Sequence, residues 1–133
     1  MNKLTVDDMR PTALGKHLIA DFYAASRLFD CVPVTDILRQ AAEAAGATVL
    51  DIRMHDFGDR CGFTGVALLA ESHISIHTWP ENDYAAIDIF MCGDAQPLLS
   101  LDVLRQYFRP GREQVDILQR GNVAQLAVAA ASA

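Results

Sequence analysis

The 133 residues suit a single domain, 1–133, of a size that buries about two-thirds of the surface its unfolded chain exposes. Hydrophobic residues at 51% and charged ones at 21% describe a globular chain and exclude a disordered one. Lys plus Arg (11) against Asp plus Glu (17) leave a formal charge of −6. That balance argues against nucleic acid as a partner, since phosphate binding needs clustered cations, and suits a cationic small-molecule substrate.

In chain order, the opening MNKLTVDDMRPTALG carries acidic groups and no apolar run, unlike a signal peptide. Leu14 to Tyr23 (LGKHLIADFY) has near-strand spacing and predicts a first strand. Thr35 is expected to cap a helix through DILRQAAEAA, whose Ile37, Leu38, Ala41, Ala42 and Ala45 recur at helical spacing, and Gly46 to stop it. Ala47 to Met54 reads as a second strand, and HDFGDRCG, with Gly58 and Gly62, as a loop. Thr64 to Ala70 and Ile74 to Trp79 follow as strands, then a turn at Pro80 to Asp83 and a strand at Tyr84 to Cys92. Pro97 fits the first turn of a helix through LLSLDVLRQYF. Val115 to Leu118 lies in a last strand, and the tail AVAAASA is expected to fray.

Strands joined by short connections favour antiparallel pairing, and two helices can cover only one face. The prediction is an α+β fold, a two-layer α/β sandwich of a mainly antiparallel sheet with two helices on one face. The similar order of elements in the two halves hints at an internal duplication. Cys31, Cys61 and Cys92, odd in number and unpaired in spacing, read as reduced thiols of a cytoplasmic protein. No stretch approaches the ~20 apolar residues of a membrane span, so no membrane partner is expected.

The chemistry concentrates in Glu71 to Glu81, ESHISIHTWPE. β-Branched neighbours make this a strand, on which His73 and His77 stand about 13 Å apart and cannot share a metal ion. No ligand spacing elsewhere implies a metal, and His17 and His55 read as ordinary strand and loop residues. No Gly-x-Ser-x-Gly elbow supports a hydrolase. What remains is Ser72, between a glutamate and a histidine at a junction of two strands.

ESHISIHTWPE followed by YAAIDIFMCGD closely resembles the core of the bacterial and archaeal S-adenosylmethionine decarboxylase proenzymes. LGKHLIADFY, AAGAT and GFTGVALLAESH match the family in the same order, so the resemblance runs from Leu14 to Gly121. It implies that Ser72 Oγ attacks the carbonyl of Glu71 and that the chain cleaves itself into a β chain, 1–71, and an α chain, 72–133. Ser72 becomes a pyruvoyl group, the covalent cofactor that forms a Schiff base with the substrate amine. By the same resemblance Thr64, where the family has serine, supplies an oxyanion donor for processing and His77 the processing base, a role suited to an imidazole. Cys92 is the proton donor in decarboxylation, Phe57 stacks on the adenine of S-adenosylmethionine, and Glu81 holds the ribose hydroxyls. A homodimer of αβ protomers is implied, with active-site residues drawn from its interface. Ser72 and His77 are an odd number of residues apart, so the backbone is expected to bend near Ser72 to bring them together.

Three departures from the family pattern stand out. Thr64 replaces serine, the loop before it is one residue longer, and Asn82–Asp83 replaces an aromatic–glycine turn. The altered loop leaves open a pyruvoyl-dependent arginine or ornithine decarboxylase of the same fold. Thr64 leaves open a processing-deficient regulatory or structural subunit.

Overall fold

A computed structural model describes residues 12–132 of the chain. Alternation of side chains decides its architecture. Along β4 (Ser72–Trp79), Ile74 and Ile76 are buried while His73, Ser75 and His77 on the other face are only half-buried. The same alternation runs along β1 (Ala13–Tyr23) and β5 (Tyr84–Cys92). With β2 (Val49–Asp56), β3 (Phe63–Leu69) and β6 (Arg112–Asn122) these strands form one antiparallel sheet in the order β2-β3-β4-β5-β1-β6.

Two helices, α1 (Val34–Ala44) and α2 (Pro97–Phe108), lie side by side on one face of that sheet. Leu38 and Ala41 of α1 and Leu101, Leu104 and Phe108 of α2 close the core over Leu18, Phe22, Ile74, Ile76, Ile87 and Ile89. Each fully buried large side chain contributes about 1.5–3 kcal/mol. Ser100 ties the helices together by donating its hydroxyl to the Ala41 carbonyl at 2.6 Å. Neither α1 nor α2 covers the other face of the sheet. It presents Val66, Leu68 (52% exposed) and Leu118 among polar and aromatic side chains. The architecture is the expected two-layer sandwich, and no described helix is long and apolar enough to cross a membrane.

Several boundaries differ from those read in the sequence. Thr35 does not cap α1; the helix begins at Val34, Pro33 is the capping residue, and no side chain bonds there. A turn from Cys31, closed by the Val34 N–H to its carbonyl at 3.0 Å, steers the chain into the helix instead. Gly46, at φ +84°, does end it, with the Ala47 N–H returning to the Ala42 carbonyl at 3.0 Å. That closing bond keeps Ala47 and Thr48 out of β2, which starts two residues later than expected. Pro97 opens α2 as the sequence indicates. The tail is not frayed through its described part: α3 (Val123–Ser132) follows β6 directly. Its start is fixed by Asn122, whose side chain accepts the Gln125 N–H at 3.1 Å, a capping arrangement the low-complexity composition obscured.

Candidate active site

The turn between β3 and β4 is two residues long, Ala70 and Glu71, with Leu69 and Ser72 paired across it. Glu71 sits at φ +63°, a left-handed conformation that costs a residue with a Cβ about 1–3 kcal/mol. The strain therefore falls on the residue whose carbonyl precedes Ser72. Ser72 itself is buried and heads β4 on its core-facing side.

Cys92 reaches both groups from the end of β5. Its backbone N–H donates to Ser72 Oγ at 3.3 Å, and its thiol donates to the Glu71 carbonyl oxygen at 3.0 Å. One residue thus holds the hydroxyl and the neighbouring carbonyl at once. A hollow of about 310 Å³ opens beside them, lined by Glu71, Ser72, Cys92, Asp94 and the Gly46–Thr48 segment. Asp94 and Thr48 were not singled out in the sequence, where no local pattern marks them. Of the other thiols, Cys31 has its pKa raised, chiefly by burial and next by Asp56, which makes it a weak nucleophile.

A second cluster lies elsewhere on the same strand. Thr64 and His77 are directly paired across β3 and β4, and Thr64 Oγ1 meets His77 Nδ1 at 3.0 Å. His77 also leans toward the Trp79 ring, 6.2 Å away. The backbone does not bend to bring His77 to Ser72. β4 runs regularly from Ser72 to Trp79, and the distortion lies one residue earlier, at Glu71. Five residues of strand separate the two side chains by about 16 Å, on opposite faces. Within the chain, Ser72 with Cys92 and Thr64 with His77 therefore form two separate clusters.

Phe57 stands at the base of the β2–β3 loop, 58% exposed and edge-on to His55 at 4.8 Å. Its N–H bonds to the Gly62 carbonyl at 3.1 Å. Left-handed residues at Gly58, Asp59, Arg60 and Gly62 fold the loop just beyond Phe57. Glu81 lies in a single 3-10 turn (Pro80–Asn82), exposed and without an ion pair among the described residues. No group of three or more His, Cys, Asp or Glu side chains among the described residues is placed to hold a metal ion.

A helix-backed antiparallel sheet thus carries a two-residue turn with a left-handed Glu71, a serine just after it and a cysteine bonded to both sides of that peptide bond. A family model described as S-adenosylmethionine decarboxylase matches residues 16–121, and the chain belongs to that family. It is 44% identical over 119 residues to an S-adenosylmethionine decarboxylase proenzyme of Prochlorococcus marinus, covering 87% of this chain and 94% of that relative. A proenzyme of the same description from Thermomicrobium roseum is 38% identical over 112 residues, covering 84% and 97%. Among solved structures, the adenosylmethionine decarboxylase of Aquifex aeolicus superposes with a TM-score of 0.76 at 32% identity, covering 84% of this chain and 93% of that one.

The residues present fit a pyruvoyl group at position 72. The serine hydroxyl and the preceding carbonyl have donors aimed at them from Cys92, and the hollow opens beside residue 72.

Proposed function

We propose that this chain is a pyruvoyl-dependent S-adenosylmethionine decarboxylase that activates itself by cutting the Glu71–Ser72 bond, giving a β chain 1–71 and an α chain 72–133. The observation that carries the proposal is the double contact of Cys92 with Ser72 Oγ and the Glu71 carbonyl. Ser72 Oγ attacks the Glu71 carbonyl carbon, and the oxyanion that forms faces the Cys92 thiol. Collapse expels the Ser72 nitrogen as an amine and leaves an ester between Glu71 and Ser72 Oγ. His77 then takes the Ser72 Cα proton, the Cβ–Oγ bond breaks, and Glu71 departs as a carboxylate. The dehydroalanine left behind adds water and loses ammonia to give the ketone. Relief of the left-handed strain at Glu71 favours the cut.

In the mature protein the pyruvoyl group supplies an electron sink when carbon dioxide leaves the substrate. Cys92 holds the proton returned to the substrate α-carbon, Phe57 stacks on the adenine and Glu81 accepts hydrogen bonds from the ribose hydroxyls. The Thr64–His77 pair that completes the site comes from a second copy of the chain. Its separation from Ser72 supports this, as does the uncovered sheet face bearing Val66, Leu68 and Leu118. The protein is then a homodimer of αβ protomers.

The test is to incubate purified protein with S-adenosylmethionine, arginine and ornithine in parallel, trapping carbon dioxide and recording intact mass. Carbon dioxide from S-adenosylmethionine alone, with two fragments in the spectrum, is expected. Release from arginine or ornithine instead removes the substrate assignment. An uncut, fully active chain removes the mechanism.

A further inference from the structure

Pairing between β4 and β5 ends at His73↔Phe90. Ser72 and Cys92 both lie beyond that last rung, held by β3 and β1, so no direct pairing between their own two strands sets the gap between them. Side chains on the uncovered sheet face take over there. The Phe90 ring stacks on His73 with centroids 5.7 Å apart and planes 7° from parallel. On its other side it meets His17 edge-on at 5.6 Å and 67°. His17 is in turn locked. Arg120 donates to its Nδ1 at 3.1 Å, which leaves Nε2 to carry the proton and donate to Asp88 at 2.9 Å.

The ring also leans along the strand over Gly15. A Cβ built at Gly15 would stand 2.6 Å from the tip of the Phe90 ring, closer than any real contact. Gly15 is the residue paired with Cys92 between β1 and β5. Its backbone is not in the left-handed region, so the missing side chain answers to the ring and not to a turn. His17 and His73 block the ring on two sides, so it can yield only outward, away from the sheet.

We propose that Phe90 is a positioning residue for self-cleavage: clamped between His17 and His73 and seated over Gly15, it sets the reach of Cys92 to Glu71 and Ser72. The proposal rests on the self-cleavage reading above. A displacement of about 1 Å at reacting groups slows a reaction by up to about a hundredfold, and the two Cys92 contacts are of the kind that such a shift removes.

The experiment is a double-mutant cycle on the rate of chain cleavage, measured by intact mass during cell-free synthesis, with melting temperature and dimer content recorded for every variant. Gly15→Ala is expected to slow cleavage at least about tenfold in the native background, by pushing the ring. Phe90→Leu slows it to a similar degree, and Gly15→Ala added to Phe90→Leu has no further effect, because no ring remains to collide with the methyl. His73→Phe, which keeps a flat ring stacked on Phe90 and leaves the tip over Gly15 unchanged, cleaves within about threefold of wild type, and it still tests the clamp if Phe90→Leu does not fold. The proposal is overturned if Gly15→Ala cleaves normally, if the two slowdowns multiply, or if His73→Phe is as slow as Phe90→Leu. A wild-type chain that never cleaves would overturn the self-cleavage reading itself, a result distinct from these.

Discussion

Replacing Cys92 with alanine separates its two contacts. The backbone N–H to Ser72 Oγ at 3.3 Å survives, whereas the thiol donor 3.0 Å from the Glu71 oxygen is gone. That oxygen takes the negative charge in the first step, so the loss falls on the transition state more than on the ground state. Removing one amide donor from an oxyanion site slows acyl transfer about 10²–10³-fold. A thiol is a weaker donor, which places Cys92→Ala at about 10- to 100-fold, or ~1.4–2.7 kcal/mol of activation free energy. Cys92→Ser restores a donor, but the shorter C–O bond leaves its oxygen roughly 0.4 Å further from the carbonyl, outside good hydrogen-bond range, so its rate falls between the two. Cell-free synthesis quenched at intervals, with intact mass reporting the uncut fraction, measures all three. Cleavage of Cys92→Ala at the wild-type rate would refute the assignment of the thiol to that oxygen. So would a slowdown no larger than its unfolded fraction explains.

Two inactive precursors should rescue each other if the half-sites meet between protomers. Ser72→Ala and His77→Ala, refolded together, give random dimers in which about half of the His77→Ala chains face an intact histidine and are cut; no cleavage in the mixture would count against a shared site. Tyr84 is pushed up to about 12, first by burial and then by its hydrogen bond to Asp21 at 2.5 Å. An unfolded phenol ionises near pH 10, so the stability it contributes is whole below that pH and lost as pH rises toward 12. Tyr84→Phe should therefore flatten the alkaline limb of a denaturation curve. Arg105 holds the Glu113 carboxyl below its ordinary range with two bonds from Nε, at 3.0 and 2.8 Å. The stability this gives is present above the unfolded carboxylate pKa and lost as pH falls through the folded one. Glu113→Gln should cost less than about 1 kcal/mol near neutrality and nothing in acid, read from urea midpoints at the two pH values.

Local chemistry made much of the fold legible. Alternation marked β1 and β5, Gly46 closed α1, and Pro97 opened α2, because each signal acts within a few residues of itself. Thr35 misled because the turn ahead of α1 is held by backbone bonds that any sequence can make. Asn122 was overlooked because an alanine-rich tail hid its capping residue. The odd spacing of Ser72 and His77 correctly placed them on opposite faces. The expected bend between them was wrong, since strain sits at Glu71 and the strand stays regular. The grip of Cys92 on both sides of one peptide bond depends on a register spanning about twenty residues, and no local pattern announces it. The same holds for Phe90 over Gly15.

The position of the two-residue turn governs what a break there would leave behind. Severing the chain there touches only the last rung, Leu69 with Ser72, and the pieces are threaded through one another. The strand β1 from the leading piece runs between β5 and β6 of the trailing one, and β3 of the first lies against β4 of the second. Three seams therefore hold two polypeptides in a single folded body. Once denatured, such a pair must find each other in solution, so recovery becomes second order in concentration where the uncut precursor renatures at a rate independent of dilution.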